Sequence, residues 1–377
     1  MSSRSQDRET AAGRLDWHED VDLGTRNSLR LPSRCRYFAR ARSSAAAVAA
    51  LERAAQLQVP AWVLGQGSNV VLPPRVEGLI LTLDSEGLER APSGDAVDVR
   101  IDAGRDWHRT VLELCAEGLW GIENLALIPG SLGAAPVQNI GAYGQEFADS
   151  CTAVTAIDRR SGDLHVLSAA DCGFAYRDSR FRRALDRWLI LSVELRLRRD
   201  GEARIDYPGV AEALAGTPRP TPTDVARAVS AIRRERLPDP AFEPNAGSFF
   251  KNPVISRAQH EALRLDFPDL PGHALAEQLE GDPAPAGGGP GTVERVKIPA
   301  AWLIDRCGWR GQRMGGVGVA ERHALVLVHH GGADGRDLLA LAGRIRDSVR
   351  SRFGITLEQE PVLLGWASAG DGLVAAD

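Results

Sequence analysis

The chain has 377 residues, more than one ordinary core of about 100–200 residues, so two or three folded units are expected. Hydrophobic content is 44% and charged content 25%, as in soluble globular proteins, and a formal net charge of -5 excludes a strong basic field for nucleic acid. The apolar runs fall short of a membrane span, and Met1 to Glu9 lacks the apolar core of a secretion signal. Cys35, Cys115, Cys151, Cys172 and Cys307 are scattered, with no Cys-x-x-Cys, which argues against a disulfide framework or a zinc site and points to the cytoplasm.

Taken in chain order, the alanine-rich residues 43–58 read as a helix ended by Pro60. Ala61–Leu64 reads as a buried strand, and Val70–Leu72 and Gly78–Leu83 as further strands. Val97–Ala103 alternates, as a strand with one wet face does, and Trp107–Glu117 reads as a helix. Residues 150–200 alternate strand patterns with turns, Leu189–Leu195 among them. Thr221-Pro222-Thr223-Asp224 resembles a capping box with proline at the first helical position. Val225, Val229 and Ile232 give that helix its apolar stripe; Arg236 falls on the stripe and Arg233 on its edge, so two arginines are expected on the buried face. Either their stems lie on apolar surface with wet heads, or they line a cleft for anions. Leu237-Pro238-Asp239-Pro240 ends the helix. Residues 281–291 read as a flexible surface loop, Ile298–Asp305 as a helix, His323–His329 as a strand, 335–353 as a helix stopped by Gly354, and Ile355–Leu364 as a final strand.

Three stretches carry polar chemistry that core packing would not select. Asn245-Ala246-Gly247-Ser248-Phe249-Phe250-Lys251-Asn252-Pro253 sets a hydroxyl, an ammonium and two carboxamides among small and aromatic residues. Gly65-Gln66-Gly67-Ser68-Asn69 follows a strand; its glycines allow backbone N–H groups to turn around a phosphate, but neither a Rossmann fingerprint nor a Walker loop is present, and a plain turn fits as well. Residues 128–144, rich in glycine with Pro129, Pro136 and Tyr143, cannot form a regular element and suit a loop wrapped around a planar cofactor and its diphosphate. Ser248 has no nucleophile context but suits a proton donor to a carbanion. Tyr176-Arg177-Asp178-Ser179 offers either a placed arginine or a surface ion pair. Leu357-Glu358-Gln359-Glu360-Pro361 puts two carboxylates on one strand face, functional or merely solvated. His329-His330 has no partner at metal-ligand spacing.

Together, Gly65–Asn69, Ile128–Gly144, Tyr176–Ser179, Leu237–Pro240, Asn245–Pro253, Ala301–Asp305 and Glu360 resemble, in this order, the UDP-N-acetylenolpyruvoylglucosamine reductase family. The resemblance runs from about Leu31 to Gly365. It implies an α+β protein: a two-subdomain flavin-binding fold of the vanillyl-alcohol oxidase type at 16–85 and 86–236, then a smaller α+β substrate-binding domain at 237–354. Residues 355–368 would form a terminal strand returning to the active site, with tails at 1–15 and 369–377. It implies non-covalent FAD, NADPH as co-substrate, a UDP-sugar substrate, and a monomer without nucleic-acid or membrane partners.

Carried over position by position, the resemblance makes Ser248 the proton donor, with Arg177 and Glu360 flanking the enolpyruvyl carboxylate. Gly65, Gly67, Ser68, Asn69, Pro129, Gly130, Ser131, Ala134, Asn139, Gly141 and Arg233 fall to the flavin, and Tyr143, Tyr207, Arg236, Asn252 and Arg313 to the substrate. No metal is implied. This chain departs from the family pattern at Arg236, where lysine is familiar, at Arg313 for glutamine, and at Ala134 for serine. Two rivals stay open. One is a flavin-dependent alcohol oxidase of the same superfamily, although neither flavin loop holds a histidine for tethering. The other is a flavin-binding protein without turnover, against which Ser248, Arg177 and Glu360 speak.

Overall fold

The computed structural model describes residues 15–275 and 294–366; the expected loop at 281–291, the tail at 369–377 and, but for Leu15, the tail at 1–15 lie outside the described residues. Three sheets of four or five strands organise them, beside one of three strands and two of two. The first takes its strands in the order Asp16–Asp22, Arg34–Ala41, Arg75–Leu83, Ala61–Val63. Its first pair is antiparallel and the others parallel. Helix Ser44–Gln56 supplies the crossover; Ser43 accepts a hydrogen bond from the Ala46 N–H at its start, and Ala46, Ala47, Ala50 and Ala54 bring it close to the sheet. The strand expected to be buried at Ala61–Leu64 is only half-buried over Ala61–Val63; Leu64 is buried just beyond it.

The second sheet is antiparallel throughout, in the order Leu164–Ser168, Cys151–Asp158, Trp188–Arg198, Ala96–Asp102, Leu88–Ser93. Val97, Val99 and Ile101 point inward, as alternation predicts, toward helix Trp107–Ala116. Helix Pro222–Arg236 begins with the expected capping box: Thr221 Oγ1 accepts from the Asp224 N–H, and Asp224 accepts from the Thr221 N–H.

The third sheet is also antiparallel, in the order Asn245–Ser248, Val326–His329, Val317–Val319, Arg313–Met314. Helices Ala300–Arg306 and Gly335–Phe353 pack over it. Leu338, Leu341, Ile345 and Val349 are fully buried, a stripe in which each residue contributes about 1.5–3 kcal/mol. Gly354 closes the long helix at φ +66, a left-handed value that glycine takes without steric cost. Leu29, Leu31 and Val71 from the first unit belong to this same core cluster, so the units are welded rather than tethered.

The final strand is shorter than expected. Only Val362–Leu363 pairs, in parallel with Val70–Val71. Residues 355–361 run without a continuous ladder, because they cross between units and find one bridge, Phe250 to Gln359. Consequently Glu358 and Glu360 do not share an environment: their side chains are 68% and 13% exposed.

Candidate active site

The two glycine-rich loops face each other across a cleft. Gln66 ties them by accepting from the Gly130 N–H and donating to Asp106. Ser68 donates to the Pro129 carbonyl, and Asn69 to Gln138. These side chains, expected to face a phosphate, thus also brace the loops. Two glycines are required here. Gly67, at φ +67, lies so near Arg26 that a Cβ would meet its carbonyl oxygen at 2.1 Å, while Gly130 sits at φ +136, which side-chain-bearing residues rarely adopt. The cleft encloses about 1190 Å³, its open mouth included, and Gly65, Gly67, Ser68, Asn69, Pro129, Gly130, Ser131 and Ala134 line it together with Val362 and Leu364 from the chain's return.

A cleft with glycine backbone on one side and apolar walls such as Trp107 and Ile190 fits a flavin nucleotide, whose rings would meet apolar surface and whose phosphates would meet backbone. Asn139 and Gly141 do not line it. Asn139, at φ +43, spends its amide on Glu146, the Ala175 carbonyl and the Ala148 N–H, and the Gly141 carbonyl accepts from Arg177 Nη2 at 2.7 Å.

Beyond the cleft lies a charged cluster. Arg177 is 19% exposed, in a left-handed backbone at φ +55, and its Nε lies 3.1 Å from Glu360 Oε1. The Nε–H is not aimed at that oxygen, so the contact is an ion pair rather than an aligned hydrogen bond. Burial pushes the Glu360 carboxyl above its ordinary range, against the pull of Arg177, Arg182 and Lys251. The Glu360 N–H donates to the Phe249 carbonyl at 2.8 Å, which sets this carboxylate beside the strand that ends at Ser248. Ser248 is half-buried, and among the described residues its hydroxyl makes no hydrogen bond. Phe249 and Phe250 are buried and pack edge to face, anchoring the polar residues around them. Asn252 Oδ1 accepts the Ala300 N–H at the start of a helix, a structural task besides the one expected of it.

The two helix arginines separate. Arg236, expected on the buried stripe, is exposed, because the stripe runs off the helix at its last residue. Arg233 is the inward one: its Nε is buried without a partner, and burial disfavours its charge. Tyr143 packs on this helix's apolar cluster at φ +50 and meets Tyr207 edge to face, ring centroids 5.0 Å apart; Tyr207 is 43% exposed. Arg313 is exposed and lines a separate cleft with Arg234, Arg322, His330 and the exposed Phe242.

Several residues of the cluster escaped sequence reasoning. Lys251, ion-paired to Glu358, and Tyr176 stood inside motifs already singled out. Glu146, Arg182 and Lys297, whose Nζ lies 4.9 Å over the Tyr176 ring, carry no spacing signal. Among the described residues no group of three or more His, Cys, Asp or Glu is placed to hold a metal, and no helix is long and apolar enough to cross a membrane.

Fold and cleft together define a flavin-dependent oxidoreductase of α+β architecture. Residues 35–168 match the FAD binding domain family, and residues 239–364 match the family described as UDP-N-acetylenolpyruvoylglucosamine reductase, C-terminal domain. The chain is 45% identical to the UDP-N-acetylenolpyruvoylglucosamine reductase of Pseudomonas aeruginosa over 352 residues, 93% of this chain and 99% of that one. Against the enzyme of the same name from Cupriavidus pinatubonensis it is 45% identical over 350 residues, again 93% and 99%. The crystal structure of the Thermus caldophilus UDP-N-acetylenolpyruvylglucosamine reductase shares the fold, with a TM-score of 0.61 and 22% identity over 93% of this chain and 98% of that one. The chain belongs to the UDP-N-acetylenolpyruvoylglucosamine reductase family.

Proposed function

We infer that this protein reduces the enolpyruvyl ether of UDP-N-acetylglucosamine to UDP-N-acetylmuramate, a step in peptidoglycan precursor synthesis, with FAD as cofactor and NADPH as electron source. The observation that carries this reading is the half-buried Arg177–Glu360 pair beside the flavin-shaped cleft. When bound, FAD would supply the hydride for the terminal vinyl carbon, with NADPH as the source of electrons. Negative charge then builds at the neighbouring carbon and its carboxylate. Arg177 stabilises that charge electrostatically in a site largely shielded from water. Glu360 holds the other side of the carboxylate by hydrogen bonding, which its raised pKa favours, since a protonated carboxyl donates. Ser248, its hydroxyl uncommitted, delivers the proton.

The residues lining the cleft would hold FAD without a covalent tether, with Arg233 supplying charge from the helix side. Tyr143, Tyr207, Asn252, Arg236 and Arg313 bind the sugar nucleotide, Tyr207 as a cap over Tyr143. In this reading the flavin-binding subdomains span 16–85 and 86–236, the substrate domain spans 237–354, and the protein works as a cytoplasmic monomer. Anaerobic stopped-flow spectroscopy tests it. NADPH should bleach the flavin band, and the enolpyruvyl sugar nucleotide should restore it without oxygen. Recovery only on admitting oxygen would mark an oxidase, and no bleaching would mark a protein without turnover.

A further inference from the structure

Arg182 is a part-buried charge that the reaction as described leaves without a task. It lies on the short helix Arg180–Arg183, whose N-cap Ser179 accepts from the Phe181 and Arg182 N–H groups. Ser179 also donates its hydroxyl to the Val137 carbonyl of the second glycine-rich loop, at 2.6 Å. From this braced turn Arg182 Nη2 reaches the Glu360 carbonyl at 2.9 Å and the Gln359 carbonyl at 3.4 Å. Its Nη1 is buried without a partner, and among the described residues no carboxylate pairs with it. Two neutral carbonyls do not call for a guanidinium, since an amide donor would serve them. A desolvated charge without an ion pair is costly, so its presence asks for a nearby anion.

We propose that Arg182 is a positioning residue for the reaction: by gripping the main chain of Gln359 and Glu360 it sets where the Glu360 carboxylate meets Arg177. The inference rests on the reading of Glu360 under Proposed function. The turn from Tyr176 to Arg183 then holds Glu360 at two points, its side chain through Arg177 and its carbonyl through Arg182. Asn69 adds a longer contact to the same carbonyl from the first glycine-rich loop, at 3.5 Å. The grip is needed because residues 355–361 have no continuous ladder of their own. The groups facing the Glu360 carboxyl are Arg177, Arg182, Lys251 and the Tyr176 ring. Removing the Arg182 charge therefore leaves burial less opposed and moves the Glu360 titration upward.

The test compares Arg182→Met, Arg182→Gln and Arg182→Lys in the full-length, FAD-loaded protein. Hydrogen-exchange mass spectrometry reads the grip directly: in Arg182→Met, peptides covering 355–366 should exchange several-fold faster, with exchange elsewhere unchanged. Reoxidation by the enolpyruvyl sugar nucleotide should slow by about tenfold, the scale of one lost charge-assisted bond. Reduction by NADPH, KM and melting temperature should hold. The basic limb of the kcat–pH profile, where activity is lost with the Glu360 proton, should move to higher pH in the Met and Gln variants and return in Arg182→Lys. Unchanged exchange at 355–366 overturns the proposal, as does equal slowing of both half-reactions with a lowered melting temperature. Should Arg182→Met fail to fold, Arg182→Gln, which loses the charge but keeps a donor, still judges the proposal through slowed reoxidation and the moved pH limb, and wild-type values of both overturn it. A wild-type protein that does not reoxidise with the sugar nucleotide overturns the functional reading instead, and the exchange result still judges the grip.

Discussion

The glycine-rich cleft and the charged cluster beside it are built by opposite means. In the cleft, backbone conformation makes the shape: Gly67 and Gly130 take left-handed angles, and side chains such as Gln66 and Ser68 brace loop against loop. In the cluster, side chains make the site, and they arrive from three distant parts of the chain, with Arg177, Ser248 and Glu360 each on a different element. The first kind of site tolerates changes of charge but not of backbone freedom. The second, on the roles proposed for Arg177, Ser248 and Glu360, should tolerate neither loss of a charge nor loss of a proton.

Ser248→Ala should show this most strongly. Reoxidation by the sugar nucleotide should slow by at least about 10²-fold while reduction by NADPH stays near normal, both followed by stopped-flow absorbance. Equal damage to both would make the serine structural and blur the comparison.

Gly130→Ala is the matching change in the cleft. The new Cβ would meet only Ser68 Oγ, at 3.3 Å, so the penalty is chiefly backbone strain at φ +136, about 1–3 kcal/mol. Melting should fall, and flavin should be retained less well on dilution. A variant of wild-type stability would mean that the loop takes another conformation at no cost.

Glu360→Gln sharpens the comparison through pH. Burial raises this carboxyl in the folded protein, so between its ordinary value and the raised one the folded state binds more protons than the unfolded. Its contribution to stability is full at low pH and is lost as pH rises through that window. The difference in melting temperature should therefore shift in favour of Glu360→Gln as pH rises from the ordinary carboxylate range. A difference constant with pH would place the carboxyl in a watery environment.

Arg236→Met should have the smallest effect on stability. The side chain is exposed, so melting should change by no more than about 0.5 kcal/mol. If the charge meets the substrate diphosphate, KM for the sugar nucleotide should rise with kcat little changed, the pattern of binding shared by ground and transition states. Arg236→Lys should be milder, and an unaltered KM would remove Arg236 from the site.

The elements were legible where local chemistry decides them. The Thr221–Asp224 capping box, the alternation of Val97, Val99 and Ile101, and the stripe ended by Gly354 all appear as read. The loops were legible as motifs, since few sequences need that many residues free of Cβ clashes. Reading failed where tertiary pairing decides. Residues 355–361 look like a strand by composition, but their neighbours offer one bridge rather than a ladder. Helical periodicity put Arg236 on the buried face, without a way to know that the core ends before the helix does. Arg182 was invisible, because a side chain that binds main-chain carbonyls leaves no partner pattern in the sequence.

The parallel pairing of Val362–Leu363 with Val70–Val71 has a kinetic meaning. Asn69 and Glu360, which touch at that junction, are 291 positions apart. Closing so long a loop costs entropy before any contact rewards it, so this junction belongs to the slow, late part of folding. The same strand pair walls the flavin cleft and carries Glu360 into place. A refolding experiment that follows flavin uptake and regained turnover in one sample should therefore show both emerging in the final phase, after most of the secondary structure has formed.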